Sequence, residues 1–323
     1  MTNVKHTSNT NWFSSSTSGH SISLDNPKRL LPFKWIFYIP LWFLLNFINN
    51  NIPPKKPYLH KSKYIRYFTP EINMADWKYI KSLCASPSRV WCNLFWKKLK
   101  WDLIKSEVGE LSIFDTGCGE GLYALMLNDF ARGIKSYHGI DFYKREKWDE
   151  LMKENSFIKL KQDSSSNIKN NIPQNTNLFM SQSAIEHFNF DLKYFNQLKC
   201  FINNSNKNII QIHLFPSPAC LWLYLYHGVR QYNLNSILKI INIFSTTKSY
   251  FRIYPLGGKS SNNLHFNFIT KPHFFLRKDF KLNTNVYQEY LKKSILNDLK
   301  LKDFTDPSFY ALIIHSNYKN QIF

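Results

Sequence analysis

Acidic residues are scarce in this chain: 22 Asp and Glu stand against 42 Lys and Arg, a formal net charge of +20 over 323 residues. Glycine and cysteine are scarcer, at 10 and 5. Cys84, Cys92, Cys118, Cys200 and Cys220 are odd in number and lack CxxC or HxxxH partners. That argues against a disulfide framework and against a structural zinc, and a reduced cytoplasmic compartment is expected. No secretory signal opens the sequence, and there is no internal repeat. The apolar stretch "FKWIFYIPLWFLLNFI", Phe33 to Ile48, is shorter than the roughly 18–20 residues of a spanning helix and is interrupted by Pro40. A phosphate loop, G-x-x-x-x-G-K-S/T, is absent, and so is the dinucleotide pattern G-x-G-x-x-G.

Two of these features have competing explanations. The positive charge would suit nucleic acid or an anionic membrane. Its lysines are scattered among Asn and Ile, as in "FINNSNKNII", and a solvated basic surface is the favoured account. The Phe33–Ile48 stretch is aromatic and flanked by Lys28, Arg29, Lys34, Lys55 and Lys56. It suits a membrane interface on the inner face and equally a helix pair docked on the protein's own core, and the sequence leaves both open.

Residues 1–30 are polar and Ser/Thr-rich and are expected to be disordered. A helical N-terminal region is expected over 31–108, broken by the linker "NNNIPPKKP". From Leu111 onward strands and helices alternate. "LSIFD", "SYHGID", "FIKLKQD", "TNLFMSQS" and "KNIIQIHLF" read as strands, and "GLYALMLNDFA", "KREKWDELMKE" and "FDLKYFNQLKCFI" as helices. The pattern predicts an α/β fold, with a Rossmann-like parallel sheet over 109–216. Residues 217–323 are expected to form a substrate or lid region around the turn "PLGGKSSNN". "FYALIIHSN" (309–317) should return to the sheet as the last core strand, antiparallel beside strand five.

Three of the ten glycines fall within five positions, in "SIFDTGCGEG": Gly117, Gly119 and Gly121, behind Asp115. Glycine at the end of a strand implies close backbone approach by a ligand or a neighbouring loop. The next strand ends at Asp141, twenty residues beyond the last glycine, and the third at Asp163. The fourth is followed by "SQSAIEHF", carrying Ser181, Ser183, Glu186 and His187. Cys118 reads as a small buried filler.

This D-x-G-x-G-x-G turn with its acidic strand ends resembles class I S-adenosylmethionine-dependent methyltransferases, over roughly Leu111 to Phe215. The resemblance implies S-adenosylmethionine as cofactor and no metal. Asp115, Gly117, Gly119 and Gly121 would hold its methionine part, Asp141 the ribose and Asp163 the adenine, with Ser181 in the signature after strand four. His187 would face the transferred methyl. His227 is a second catalytic candidate on a helix expected over "SPACLWLYLYHGVRQYN", where Arg230 and Gln231 would share its face and meet the acceptor. His213 is carried as a substrate contact, although a histidine inside an apolar strand is more often a satisfied core residue.

That helix also resembles methyltransferases of bacterial surface-polysaccharide synthesis. The expected acceptor is therefore a hydroxyl or amine on a small or sugar-like molecule. An RNA methyltransferase, or a non-catalytic nucleic-acid binder of the same fold, is the alternative, supported only by charge.

Overall fold

Ser86 and Pro87 begin the helix on which much of the architecture depends: the Ser86 side chain accepts from the Arg89 N–H, and Pro87 occupies the first turn. The computed structural model describes residues 63–83, 85–188, 190–223, 230–276, 284–301 and 306–323, with 40, 41, 43, 44, 46–48, 51 and 280. Helix α1 (Met74–Leu83) is followed by α2 (Pro87–Lys98) and α3 (Trp101–Val108). Val90 to Trp96 are all buried, so α2 is enclosed on every side instead of presenting one apolar stripe.

Strands and helices then alternate: β1 (Ser112–Thr116), α4 (Tyr123–Phe130), β2 (Ser136–Asp141), α5 (Trp148–Glu154), β3 (Ile158–Gln162), β4 (Leu178–Gln182), α6 (Asp191–Asn203) and β5 (Ile209–Pro216). A four-residue helix α7 (Cys220–Leu223), then α8 (Leu234–Ile243), lead to β6 (Ser249–Leu256). Helices α9 (Lys259–His265), α10 (Lys271–Leu276) and α11 (Thr284–Leu301) precede β7 (Phe309–Ser316). The seven strands form one sheet in the order β3-β2-β1-β4-β5-β7-β6. Strand β7 runs antiparallel to both neighbours; the pairings among β1 to β5 are parallel. This is the expected Rossmann-like α/β fold with a final antiparallel strand.

Strand order reverses between β1 and β4, because β2 and β3 extend to one side and β5 to the other. Both sheet faces are covered, so the central strands are buried throughout and their alternate residues feed two cores. Ile113, Met180, Ile212 and Ile313 pack with α2, α3 and α4 on one face. Phe114, Phe179, Phe215 and Ile314 pack with α6 and α8 on the other.

Two expected boundaries are corrected. Beyond the expected return of 309–317, the region 217–323 supplies a second strand to the sheet: β6, inside the supposed lid, is its edge strand beside β7. Its outer edge is covered by residues 64–66, since the Arg66 N–H donates to the Ile253 carbonyl and the Ile253 N–H to that of Tyr64. Helices α9 and α11 also join the α2 layer. Trp91 Nε1 donates to Ser261 Oγ at 2.9 Å, Asp298 on α11 accepts the Ser260 and Ser261 N–H groups, and the Tyr287 hydroxyl donates to the Ala85 carbonyl. The N-terminal helices thus share one core with the sheet.

Candidate functional site

Strand β1 delivers the chain to the carboxyl edge at the point of strand reversal, where an open parallel sheet leaves a crevice. A cavity of about 420 Å³ lies there. It runs across the ends of β3, β2, β1 and β4, from Asp163 and Ser165 to Gln182, Ser183 and His187. Three strand spacings of ~4.8 Å make that path about 14 Å long.

The glycine turn is shaped by two different demands. At Gly117, φ is +83°, and a Cβ would come within 2.4 Å of the Ala184 Cβ, so the turn is pressed against the loop after β4. At Gly119, φ is +55° but nothing lies within 4 Å of where a Cβ would stand. Gly119 therefore faces open space, a cradle that any side chain would begin to fill. Gly121 closes the turn against Leu160 and Leu151.

Asp141 ends β2 opposite this turn. Its Oδ2 accepts from the Gly119 N–H at 2.9 Å and its Oδ1 from the Tyr143 N–H at 3.1 Å, with Arg145 Nη2 3.7 Å away. A carboxylate has about four acceptor sites, so two backbone donors orient it and leave capacity for ligand hydroxyls. Trp148 Nε1 donates to the Gly119 carbonyl and fixes the turn from below.

Asp163 follows β3, with Lys161 Nζ at 3.0 Å and the Ser164 N–H at 2.8 Å. Burial opposes its ionisation, but Lys161 and Ser164 outweigh it and hold the carboxyl below its usual range.

Asp115 is the electrostatic anomaly. It is buried at the floor of the cavity. Its Oδ2 accepts a short hydrogen bond from the Tyr137 hydroxyl, while Oδ1 has no hydrogen-bond partner among the described residues. Burial, reinforced by Asp141 and only partly offset by Tyr137, pushes its pKa up to about 7.

The remaining candidates divide. His187 ends a 3₁₀ turn, Ile185–His187, and lines the cavity beside buried Glu186, 3.9 Å from its Nε2. Ser183, at φ +51°, donates to Glu186 Oε1 at 2.6 Å and so braces the same turn.

Ser181 and His213 do not reach the cavity. They pair with each other inside the sheet, Ser181 Oγ to His213 Nδ1 at 2.8 Å, on adjacent strands in direct register. The His213 ring edges against Tyr194 and Phe195, and burial lowers its pKa to about 3, so it is a neutral core histidine and not a substrate contact.

Arg230 and Gln231 are likewise corrected. Among the described residues the helix ends at Leu223, and 230–233 are not helical. Arg230 Nη1 forms a close ion pair with Asp191 Oδ1, whose Oδ2 accepts from the Tyr232 hydroxyl. Burial lowers the Arg230 pKa, but Asp191 more than reverses this and raises it. Gln231 is buried, and its N–H donates to Asn46 Oδ1. Both hold the loop after β5 instead of lining the cavity. His227 lies outside the described residues.

Sequence reasoning missed Arg89, Tyr123 and Gln182, which line the cavity. Arg89 comes from α2, remote in sequence from the glycine turn, and no motif marks it. It also missed Gly139, where a Cβ would lie 2.8 Å from Cys118 Sγ. An isolated glycine in the strand "SYHGID" was the available signal for that close approach. None of the described residues in 217–323 lines the cavity. Among the described residues no group of three His, Cys, Asp or Glu could hold a metal ion, and no helix is long and apolar enough to cross a membrane.

No family model matches the chain, and no curated protein is significantly similar to it in sequence. Among solved structures, it is similar to the plantazolicin methyltransferase BamL in complex with a triazolic desmethylPZN analog and SAH. The two share 15% identity over 75% of this chain and 88% of that one, at a TM-score of 0.46. A SAM-dependent methyltransferase from Archaeoglobus fulgidus gives 14% identity over 74% and 98%, at 0.42. MccD protein gives 14% over 68% and 96%, at 0.41. At these identities the likeness concerns backbone arrangement and says nothing of substrate. Strand order, the antiparallel β7 and the glycine turn at the point of reversal make this a Rossmann-like α/β fold.

Proposed function

We propose that the protein transfers a methyl group from S-adenosylmethionine to a hydroxyl or amine of a small or sugar-like acceptor. The observation that carries this reading is the Gly119–Asp141 contact: an open glycine cradle whose own N–H orients the carboxylate beside it. A nucleoside bound along the cavity would present its ribose hydroxyls to Asp141 and its base to Asp163, Ser165 and Phe142. Its thioether would then lie near Gly117 and Ala184. The bound cofactor supplies an electrophilic methyl carbon on a sulfonium centre. The chain's own part is to orient the acceptor for in-line attack and to receive its proton. His187 lines the cavity on the β4 side, where an imidazole can take a hydroxyl proton, and Glu186 beside it favours the charged ring that results.

Calorimetry with S-adenosylhomocysteine tests the reading. The parent should bind, and Asp141→Ala should lose charge-assisted bonds worth roughly 1.5–3 kcal/mol, about 10- to 150-fold in affinity. Unchanged affinity would remove the ribose assignment. His187→Ala should keep that affinity and lose roughly 10²–10⁴ in single-turnover methyl transfer, assayed against sugar nucleotides, lipid-linked saccharides and RNA in parallel.

We further infer peripheral contact with a membrane near the site. The specific support is an apolar surface: Leu44, Phe47 and Ile48 are exposed, and Phe43 packs at 5.0 Å on Trp222, itself 64% exposed. Trp222 follows β5, at the same sheet edge as the cavity. A lipid-linked acceptor in surface polysaccharide synthesis would suit that arrangement.

A further inference from the structure

A second cavity, of about 760 Å³, lies between helices α1 and α11 and shares no lining residue with the one at the glycine turn. Trp77 sits on its wall, half-buried and packed on the core. The Lys292 ammonium stands 5.4 Å over that ring, so a cation and an aromatic face look onto the same space. Lys78 and Lys81, both exposed, add two further cations on one side of α1. The single carboxylate of α1, Asp76, is taken by Lys97 and Lys98, and none of the three groove lysines forms an ion pair among the described residues. Gln288 also lines the groove, and its side-chain Nε2 is buried with no hydrogen-bond partner among the described residues. Native proteins rarely leave such a donor unmet. The terminal torsion of glutamine is broad, so a ligand in the groove can draw that donor out.

The lining is not that of a strip for a nucleic acid. No arginine lines the groove, a single aromatic ring does, and Glu289 places a carboxylate among the lysines. Single-stranded RNA takes several stacking rings and cations spaced along its phosphates, which Glu289 would oppose. A saccharide has different needs. Its apolar C–H face stacks on indole, its hydroxyls donate to a carboxylate and accept from an amide, and an acidic substituent meets an ammonium. The groove is also directed at the site. Helices α1 and α11 run antiparallel, since Trp77 meets Lys292 whereas the Ala85 carbonyl, after α1, accepts from the Tyr287 hydroxyl at 2.6 Å. The Lys81 end therefore adjoins the start of α2, where Arg89, in the first turn, lines the cavity at the glycine turn.

We propose that the groove between α1 and α11 binds an acidic saccharide, the part of the acceptor remote from the methylated atom. Its role as an acceptor site rests on the methyl-transfer reading above; the affinity for saccharide does not. Lys78, Lys81 and Lys292 meet the acidic substituents, Trp77 carries a sugar ring, and Gln288 and Glu289 take its hydroxyls. A chain held there reaches the cavity past the start of α2, so contacts made away from the reacting atoms position the acceptor. The contrary account is that the lysines form a solvated face and Gln288 only packs.

Calorimetry on the full chain, with S-adenosylhomocysteine present, tests this with an acidic hexasaccharide of alternating glucuronate and N-acetylglucosamine, neutral chitohexaose, and oligouridylate. The acidic hexasaccharide should bind most tightly, and added salt should weaken it toward the neutral one. Lys78→Gln with Lys81→Gln, at exposed positions that leave the fold intact, should weaken the acidic probe about three- to tenfold and spare the neutral one. Trp77→Ala should weaken both saccharides together, the mark of stacking and not of charge. S-adenosylhomocysteine affinity should hold in every variant, because none of these residues lines the cavity at the glycine turn. Equal affinity of the parent and the lysine variant for the acidic probe, or tighter binding of oligouridylate, would overturn the proposal and leave the cofactor reading standing. A parent that binds the acidic hexasaccharide but not S-adenosylhomocysteine would instead overturn the methyl-transfer reading and strip the groove of its acceptor role.

Discussion

Asp115 and Asp141 end neighbouring strands, yet they serve opposite purposes, and the difference lies in what surrounds each. Asp141 meets two backbone N–H groups, whereas Asp115 meets one phenol and a desolvated floor. The folded chain therefore holds a proton on Asp115 up to about pH 7, where an unfolded aspartate loses it near pH 4. Between those values the fold binds the extra proton, so this residue's contribution to stability falls as pH rises from about 4 to about 7. At 1.36 kcal/mol per unit the total is roughly 4 kcal/mol. Urea denaturation across that range should show Asp115→Asn gaining on the parent with rising pH, and parallel curves would refute the assignment. The two cradle glycines should also separate cleanly. Gly117→Ala must displace Ala184 and should destabilise by about 2–3 kcal/mol. Gly119→Ala meets no neighbour and should cost only about 1 kcal/mol, for its positive φ, while weakening S-adenosylhomocysteine in calorimetry. If both variants lost stability equally, the open cradle would be wrong.

Elements, not motifs, determine what completes the site. Helix α2 carries Arg89 to the cavity and, through Trp96, holds the cavity-lining Gln182, so the N-terminal region is part of the cavity wall. Its docking is locked by Trp91 on Ser261 and by Asp298 of α11, which accepts the Ser260 and Ser261 N–H groups at the start of α9. Glu107 at the end of α3 performs a similar service at the opposite edge. It accepts the Lys319 and Asn320 N–H groups, and these bonds outweigh burial and bring its pKa down to about 2. The loop after β5 is tied by Arg230 to Asp191, the first residue of α6. Removing one partner from a largely buried ion pair strands the other, so Arg230→Ala should cost about 3 kcal/mol in denaturant unfolding. Methyl transfer at saturating acceptor should persist in the folded variant. A raised acceptor KM at unchanged stability would restore Arg230 to the substrate site.

At the scale of the molecule, charge and exposed apolar surface act together. The net charge of +20 favours any anionic surface, and Phe47, Trp222 and Phe275 are each exposed by 64% or more. Scattered surface apolars are ordinary, but the contact of Phe43 with exposed Trp222, in a stretch flanked in sequence by Lys and Arg, is suited to interfacial lipid. The protein should cosediment with vesicles containing anionic lipid at low ionic strength, and added salt should weaken the association. Phe47→Ser with Trp222→Ser should reduce it further while leaving S-adenosylhomocysteine affinity unchanged. Truncation before Pro53 separates the alternatives, since loss of cooperative unfolding would make the stretch core and dispose of the membrane idea.

What the sequence determined by itself was the local grammar. Alternating apolar runs marked β1 to β5, the spacing of Gly117, Gly119 and Gly121 marked the turn, and Asp141 and Asp163 fell at strand ends because strand length and helix length are nearly fixed. These are properties of short segments, carried by side-chain period and backbone sterics. The edge strand β6 was illegible, since "SYFRIYPL" mixes Arg and Tyr with apolar residues and its ladder partner in the sheet is β7, some fifty residues later. Ser181 and His213 looked like site residues until β4 and β5 came into register and satisfied each with the other. Arg89, Gln182 and the raised pKa of Asp115 arise from the meeting of α2, β4 and the glycine turn. Burial and charge at a point belong to every element that converges there, and only the tertiary structure decides which elements those are.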